Sequence, residues 1–153
     1  MTTIKKRFNY SSGLAAEPLR GYSRAVQIDD RLMISGTTAM TRDGRVIGVG
    51  DPYLQTRYVI KNIREVIRAV GFEFQEIVQT RLFITDMSLW KQYARAHREA
   101  FERIRPASSI VEVKRLMDPR FMIEMECEAI KGCQLSDSIE ILFDEEDPAP
   151  REE

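Results

Sequence analysis

A chain of 153 residues with 43% hydrophobic and 31% charged side chains is sized and composed for one soluble domain with its own core. No apolar run approaches the ~18 residues that a membrane-spanning helix needs. The net charge of −1 hides an asymmetry: residues 134–153 hold eight acids against one base, or −7, and the rest carries +6.

Residues 1–20 read as irregular, with Ser11-Ser12-Gly13 and Pro18 breaking any pattern. The basic start, Lys5-Lys6-Arg7, is followed by no apolar segment, so a secretory signal is not expected. Tyr22 to Ile28 and Leu32 to Thr38 read as two strands of a hairpin turning at Asp29-Asp30, and Asp43-Gly44 marks a further turn. Asp51-Pro52 then opens a helix: Asp can accept from a free first-turn amide, and Pro lacks an N–H that would have no partner there. Val59, Ile63, Val66, Ile67 and Val70 share a stripe, and Gly71 stands where a C-terminal cap belongs. Residues 76–85 are rich in strand formers. A second helix starts over Asp86–Ser88, with Trp90, Tyr93, Ala94, His97, Phe101 and Ile104 as its apolar stripe, and ends before Pro106.

Residues 106–116 and 121–130 read as two strands joined by a short turn at Met117–Arg120. In the second, Phe121, Ile123, Met125, Cys127 and Ala129 alternate with Glu124, Glu126 and Glu128. Side chains alternate faces along a strand, so three carboxylates share one face. Either that face is wet, or another subunit covers it and supplies partners. The element order, β-β-(β)-α-β-α-β-β, predicts an α+β fold, one mixed sheet with two helices on one face. Association in a closed assembly is the economical cover for the other face. The domain is expected over 1–133, with 134–153 an acidic C-terminal extension whose last ten residues are disordered by composition. That extension reads as a solvated tail, or as one folded over a basic surface. Two cysteines, Cys127 and Cys133, form neither a disulfide framework nor a metal spacing, which suits a reducing cytoplasm. No phosphate loop, metal constellation or dinucleotide fingerprint stands out, so no cofactor is expected.

Several short motifs occur in order: Gly21-Tyr22-Ser23-Arg24-Ala25-Val26, Ile34-Ser35-Gly36-Thr37, Gln55 with Asn62-Ile63, Phe83-Ile84-Thr85-Asp86, Pro106-Ala107 with Val111-Glu112-Val113, and Ile123-Glu124-Met125-Glu126 to Ala129-Ile130. Together they resemble the Rid (YjgF) family of enamine/imine deaminases. The likeness spans about residues 20–131 and rests on their order and spacing. It implies a chorismate-mutase-like fold and a homotrimer with inward-facing sheets and small-molecule clefts between subunits. For the best-known subgroup it also implies hydrolysis of 2-enamine or 2-imine acids to 2-keto acids and ammonia.

One departure is serious. The deaminating subgroup has an arginine directly after the Pro-Ala pair, gripping the substrate carboxylate; here Ser108 stands there. A hydroxyl cannot replace a bidentate guanidinium. An ionic hydrogen bond of on the order of 1.5–3 kcal/mol corresponds to about one to two decades of binding or rate. The chain therefore resembles an arginine-lacking subgroup.

The resemblance puts Glu126 at the family's active-site glutamate, suited to deliver water to an imine carbon and a proton to the leaving nitrogen. The alternative is that the glutamates pair with basic groups of neighbouring subunits. Tyr22 matches a cleft tyrosine or serves an interface. Gly36 and Thr37 match a strand end that approaches ligand, or form a bulge. Arg24 and Arg81, both on predicted strands, are candidates for a displaced carboxylate clamp or for ion pairs with the glutamate row. Ser108 suits a neutral or smaller group and not nucleophilic attack, because no base is marked beside it. His97, on the apolar helix stripe, and Cys127, on the apolar strand face, read as structural.

The expected function is that of a small-molecule hydrolase or deaminase acting on an imine, enamine or related C–N compound. The alternative is a non-catalytic trimer that binds a metabolite or a partner protein. Some chains of the family are described as ribonucleases or translation inhibitors. The +6 body lacks clustered basic and aromatic residues, so neither nucleic acid nor membrane is expected as a partner.

Overall fold

The glutamate-bearing strand, Ile123–Ile130, sits in the middle of the molecule with a strand on each side. In the computed structural model, which describes residues 2–142, the chain runs β1 (Arg7–Tyr10), α1 (Ala16–Arg20), β2 (Ala25–Ile28), β3 (Arg31–Thr38), α2 (Pro52–Ala69), β4 (Ile77–Ile84), α3 (Trp90–Phe101), β5 (Ala107–Glu112) and β6 (Ile123–Ile130). The sheet order is β1-β2-β3-β6-β4-β5. Every pair is antiparallel except β4–β5, so the sheet is mixed as expected.

Two helices cover one face. Ile123, Met125, Cys127 and Ala129 of β6 point into the core with Leu32, Ile34, Leu82 and Ile84, where they meet Val59, Ile63 and Ile67 of α2. Each Leu, Ile, Val or Met among them contributes about 1.5–3 kcal/mol by leaving water. Asp51 caps α2 by accepting from the amide of Leu54 at 2.9 Å. Burial pushes the Cys127 thiol up to about 12, so it is an inert core thiol.

The polar residues of the helix motifs fasten α2 to the sheet. Fully buried Gln55 donates to the carbonyl of Arg120 at 2.7 Å and accepts from the amide of Met122 at 2.8 Å, fixing the entry to β6. Asn62 donates to the carbonyls of Thr38 and Met40, fixing the exit from β3.

Four expectations need correction. Residues 1–20 are not irregular: Arg7–Tyr10 pairs antiparallel with β2, and α1 follows. Buried Glu17 holds that segment by accepting from the amides of Ser12 and Leu14 and the hydroxyl of Ser12. Secondly, β5 and β6 are not neighbours; β4 lies between them, because β4 and β5 are parallel and joined through α3. Thirdly, Trp90 is 49% exposed, since it is the first residue of α3 and the buried side of that helix runs through Tyr93, Ala96 and Phe101. Finally, β2 begins at Ala25, so Tyr22 and Arg24 precede it.

The chain leaves the sheet at Ile130 and continues through residues 134–142 without helix or strand. The segment expected to be disordered, 144–153, lies outside the described residues.

Candidate functional site

The three glutamates of β6 fall on the sheet face away from α2 and α3, but they are not equivalent. Strand register decides their neighbours. Arg81 of β4 lies opposite Glu126, and its guanidinium reaches both Glu126 and Glu128 at 3.3 Å. Arg31 of β3 adds a second ion pair to Glu128. Arg31, then Arg81, hold the Glu128 carboxyl below the usual range against the opposing effect of burial. Arg81 thus forms ion pairs with the glutamate row, and Glu126 is one of its partners.

Glu124 is the exception. It takes part in none of the ion pairs among the described residues. Burial pushes its carboxyl up, with the charges of Arg20 and Arg24 only partly offsetting this. It lies against a bulge in β3. The register jumps from Ile34–Cys127 to Thr37–Met125, so Ser35 and Gly36 stand against the single residue Glu126, one more than the partner strand supplies. A Cβ on Gly36 would stand 1.9 Å from Oε1 of Glu124, so the missing side chain is the space in which the carboxylate lies.

Arg24 closes the other side of the bulge. Its Nη2 donates to the carbonyl of Gly36 at 2.8 Å, and its buried Nε has no hydrogen-bond partner among the described residues. Arg20 lies over the ring of Tyr22, 4.8 Å from its centroid, and the Tyr22 amide donates to the carbonyl of Glu17. Gly36 and Arg24 therefore gather around Glu124, and Arg20, which lies over Tyr22, adds a second positive charge to its surroundings. Thr37 does not join them: it is buried, and its hydroxyl donates to the carbonyl of Ser35 within the bulge.

Ser108 lies elsewhere. The register row Ile34–Cys127–Thr80–Ser108 places it on the helix-facing side of β5, opposite in sense to Glu124. On that side its Oγ lies 2.9 Å from Oγ1 of Thr80, which in turn lies 2.9 Å from Nε2 of His97 on α3.

The family model described as Endoribonuclease L-PSP matches residues 13–131. The chain belongs to this family, the Rid or YjgF family. An uncharacterised protein of Streptomyces coelicolor is 33% identical over 121 residues, covering 79% of this chain and 90% of its own. A RutC family protein of Pyrococcus horikoshii is 30% identical over 117 residues, covering 76% of this chain and 92% of its own. Rv2704 of Mycobacterium tuberculosis, a structure described as a YjgF-family member, is 34% identical with a TM-score of 0.73, covering 82% of this chain and 99% of its own. The α+β fold of this chain is that of the Rid family.

Against that Rid background, two features escaped the sequence. The sequence singled out Glu126, but strand register and the Gly36 bulge distinguish Glu124. The Ser108–Thr80–His97 chain joins residues far apart in sequence, and only the parallel pairing of β4 with β5 brings them together.

Proposed function

We propose that this Rid-family chain is a small-molecule hydrolase or deaminase that acts on an imine, enamine or related C–N compound in clefts between the subunits of a homotrimer. Membership of the family supports small-molecule binding or deaminase-like chemistry in general. One observation carries the finer reading: a desolvated carboxyl, Glu124, takes part in no ion pair among the described residues and stands over a glycine, with Arg24 beside it. Such a carboxyl exchanges protons nearer neutral pH than an ordinary one, as hydration of an imine carbon and protonation of the departing nitrogen require. We therefore assign that work to Glu124 rather than Glu126, whose carboxylate is engaged by Arg81. Arg24, Tyr22 and the Gly36 backbone would position the substrate.

The cleft needs a second copy, because Ser108 and Glu124 face opposite sides of the sheet within one protomer. A neighbour covering the glutamate face would bring its own β5 edge, all of it exposed here, towards Glu124.

The test is ammonia or 2-keto acid release from a freshly generated 2-imino compound, comparing wild type with Glu124→Gln, Glu126→Gln and Ser108→Arg. Activity lost in Glu124→Gln and largely retained in Glu126→Gln supports the assignment. The reverse pattern returns the role to Glu126. Silence in wild type and in Ser108→Arg alike favours the non-catalytic alternative.

A further inference from the structure

The hydroxyl at position 108 is wired into the core. Thr80 is fully buried, and His97 reaches it from α3 with its ring stacked on Phe101, centroids 4.5 Å apart. Phe101 stacks in turn on Phe74 at 4.8 Å, so the imidazole is clamped on one side. Burial lowers the pKa of His97, which keeps the ring neutral at neutral pH.

Each hydroxyl can donate or accept, so the 2.9 Å spacings allow the chain to run in two directions. In one of them Thr80 donates to Ser108 and accepts from Nε2 of His97, which then carries the ring proton. The hydrogen of Ser108 is left over in that direction, and the strand that bears it is exposed along its whole length. Thr80 and His97 satisfy each other; burial alone does not require the third, exposed member. Hydroxyls linked in this way polarise one another and make the last a better donor.

We propose that His97 and Thr80 are positioning residues that set Ser108 as an outward, uncharged hydrogen-bond donor, and that this chain selects substrates carrying a neutral carbonyl, such as a carboxamide, where the deaminating subgroup takes a carboxylate. The inference rests on the functional reading above and names the substrate class of that site. A neutral hydroxyl matches one carbonyl oxygen. It cannot offset the desolvation of a carboxylate as a guanidinium fork does.

The test uses binding, so that it stands whether or not the chain turns over imines. Pyruvamide and pyruvate are titrated into the full-length protein, with affinities read by calorimetry and contacts by amide shifts near Ser108. Wild type is expected to bind pyruvamide about tenfold more tightly than pyruvate. Thr80→Val, which keeps shape and removes the hydroxyl, abolishes that preference, and Thr80→Ser restores it. Ser108→Arg inverts it. In wild type the His97 nitrogen shifts report a proton on Nε2, and Thr80→Val moves the Nε2 signal. Preference for pyruvate in wild type, or an unchanged ratio in folded Thr80→Val, overturns the proposal. Loss of imine turnover with the pyruvamide preference intact instead counts against the deaminase reading alone.

Discussion

Gly36 and Glu124 share one volume: the place where a side chain at 36 would begin is held by the carboxylate of 124, 1.9 Å from an added Cβ. The contact joins β3 to β6 across the bulge, and it makes the glycine a condition for the position of the carboxyl. Gly36→Ala is expected to push the flexible end of Glu124 aside rather than unfold the sheet, because the clash is with a side-chain tip. Turnover of a 2-imino compound should fall at least about tenfold, on the order of 1.4 kcal/mol in the barrier. The unfolding midpoint in denaturant should change little. A midpoint that collapses along with activity would make Gly36 a folding residue only.

The two ends of the glutamate row should titrate in opposite directions. Burial raises the Glu124 carboxyl in the folded state, whereas Arg31 and Arg81 lower that of Glu128. A raised acid favours the folded state below its unfolded pKa, and that contribution is lost as pH rises through the folded value. Glu124→Gln should therefore stabilise the protein at pH 7 and do little at pH 3. Glu128→Gln should destabilise it at neutral pH, and this effect should shrink as pH falls through the depressed value. Thermal melts at both pH values, with carboxyl-carbon titration by NMR, measure the two signs.

Arg81 bridges Glu126 and Glu128 at 3.3 Å from a half-exposed position, so each pair is discounted for solvent. Arg81→Met is expected to cost about 1 kcal/mol in all. It should also leave substrate affinity nearly unchanged, if Arg81 is an ion-pair residue rather than a carboxylate clamp. Denaturant unfolding and KM together decide this; a large rise in KM would restore the clamp.

Much of the architecture was legible because its signals are local. The odd–even alternation of Phe121–Ala129 against three glutamates gave β6 its two faces, and Asp51-Pro52 gave α2 its start. The Gln55 and Asn62 motifs were visible without their reason, which is that both amides tie α2 to the backbone at strand ends. Sheet order was not legible: nothing in residues 106–130 reports that β4 lies between the last two strands. That long-range pairing also decides the site. It puts Arg81 beside Glu126 and Thr80 beside Ser108, so the sequence could single out Glu126 only through the family resemblance and could not show its ion pair or the contacts of Ser108. The strand β1 was missed because four residues on a sheet edge carry too little alternation to register.

Gln55→Leu tests how firmly β6 is anchored. It keeps the volume but leaves the carbonyl of Arg120 and the amide of Met122 without their partner. Each unsatisfied group costs about 1–3 kcal/mol, so a loss of about 2–6 kcal/mol is expected for the two. Chemical denaturation measures it; a loss below about 1 kcal/mol would mean that water replaces the amide at little cost.

The opposed faces of Ser108 and Glu124 allow a test of the shared cleft itself. If each cleft takes Glu124 from one copy and Ser108 from the next, neither single variant is active alone, but a mixture recovers activity. Glu124→Gln supplies an intact Ser108, and Ser108→Trp, which blocks the hydroxyl, supplies an intact Glu124. In the proposed cyclic trimer, refolded from equal amounts of the two, about a quarter of the clefts would pair the two intact halves. Turnover should therefore rise from background to about a quarter of the wild-type rate on mixing, and should stay at background when the trimers are mixed without dissociation. Sedimentation fixes the assembly in the same samples. No recovery from verified mixed trimers would place both residues' roles within single protomers, which the geometry of this sheet does not accommodate, and would remove Ser108 from the cleft.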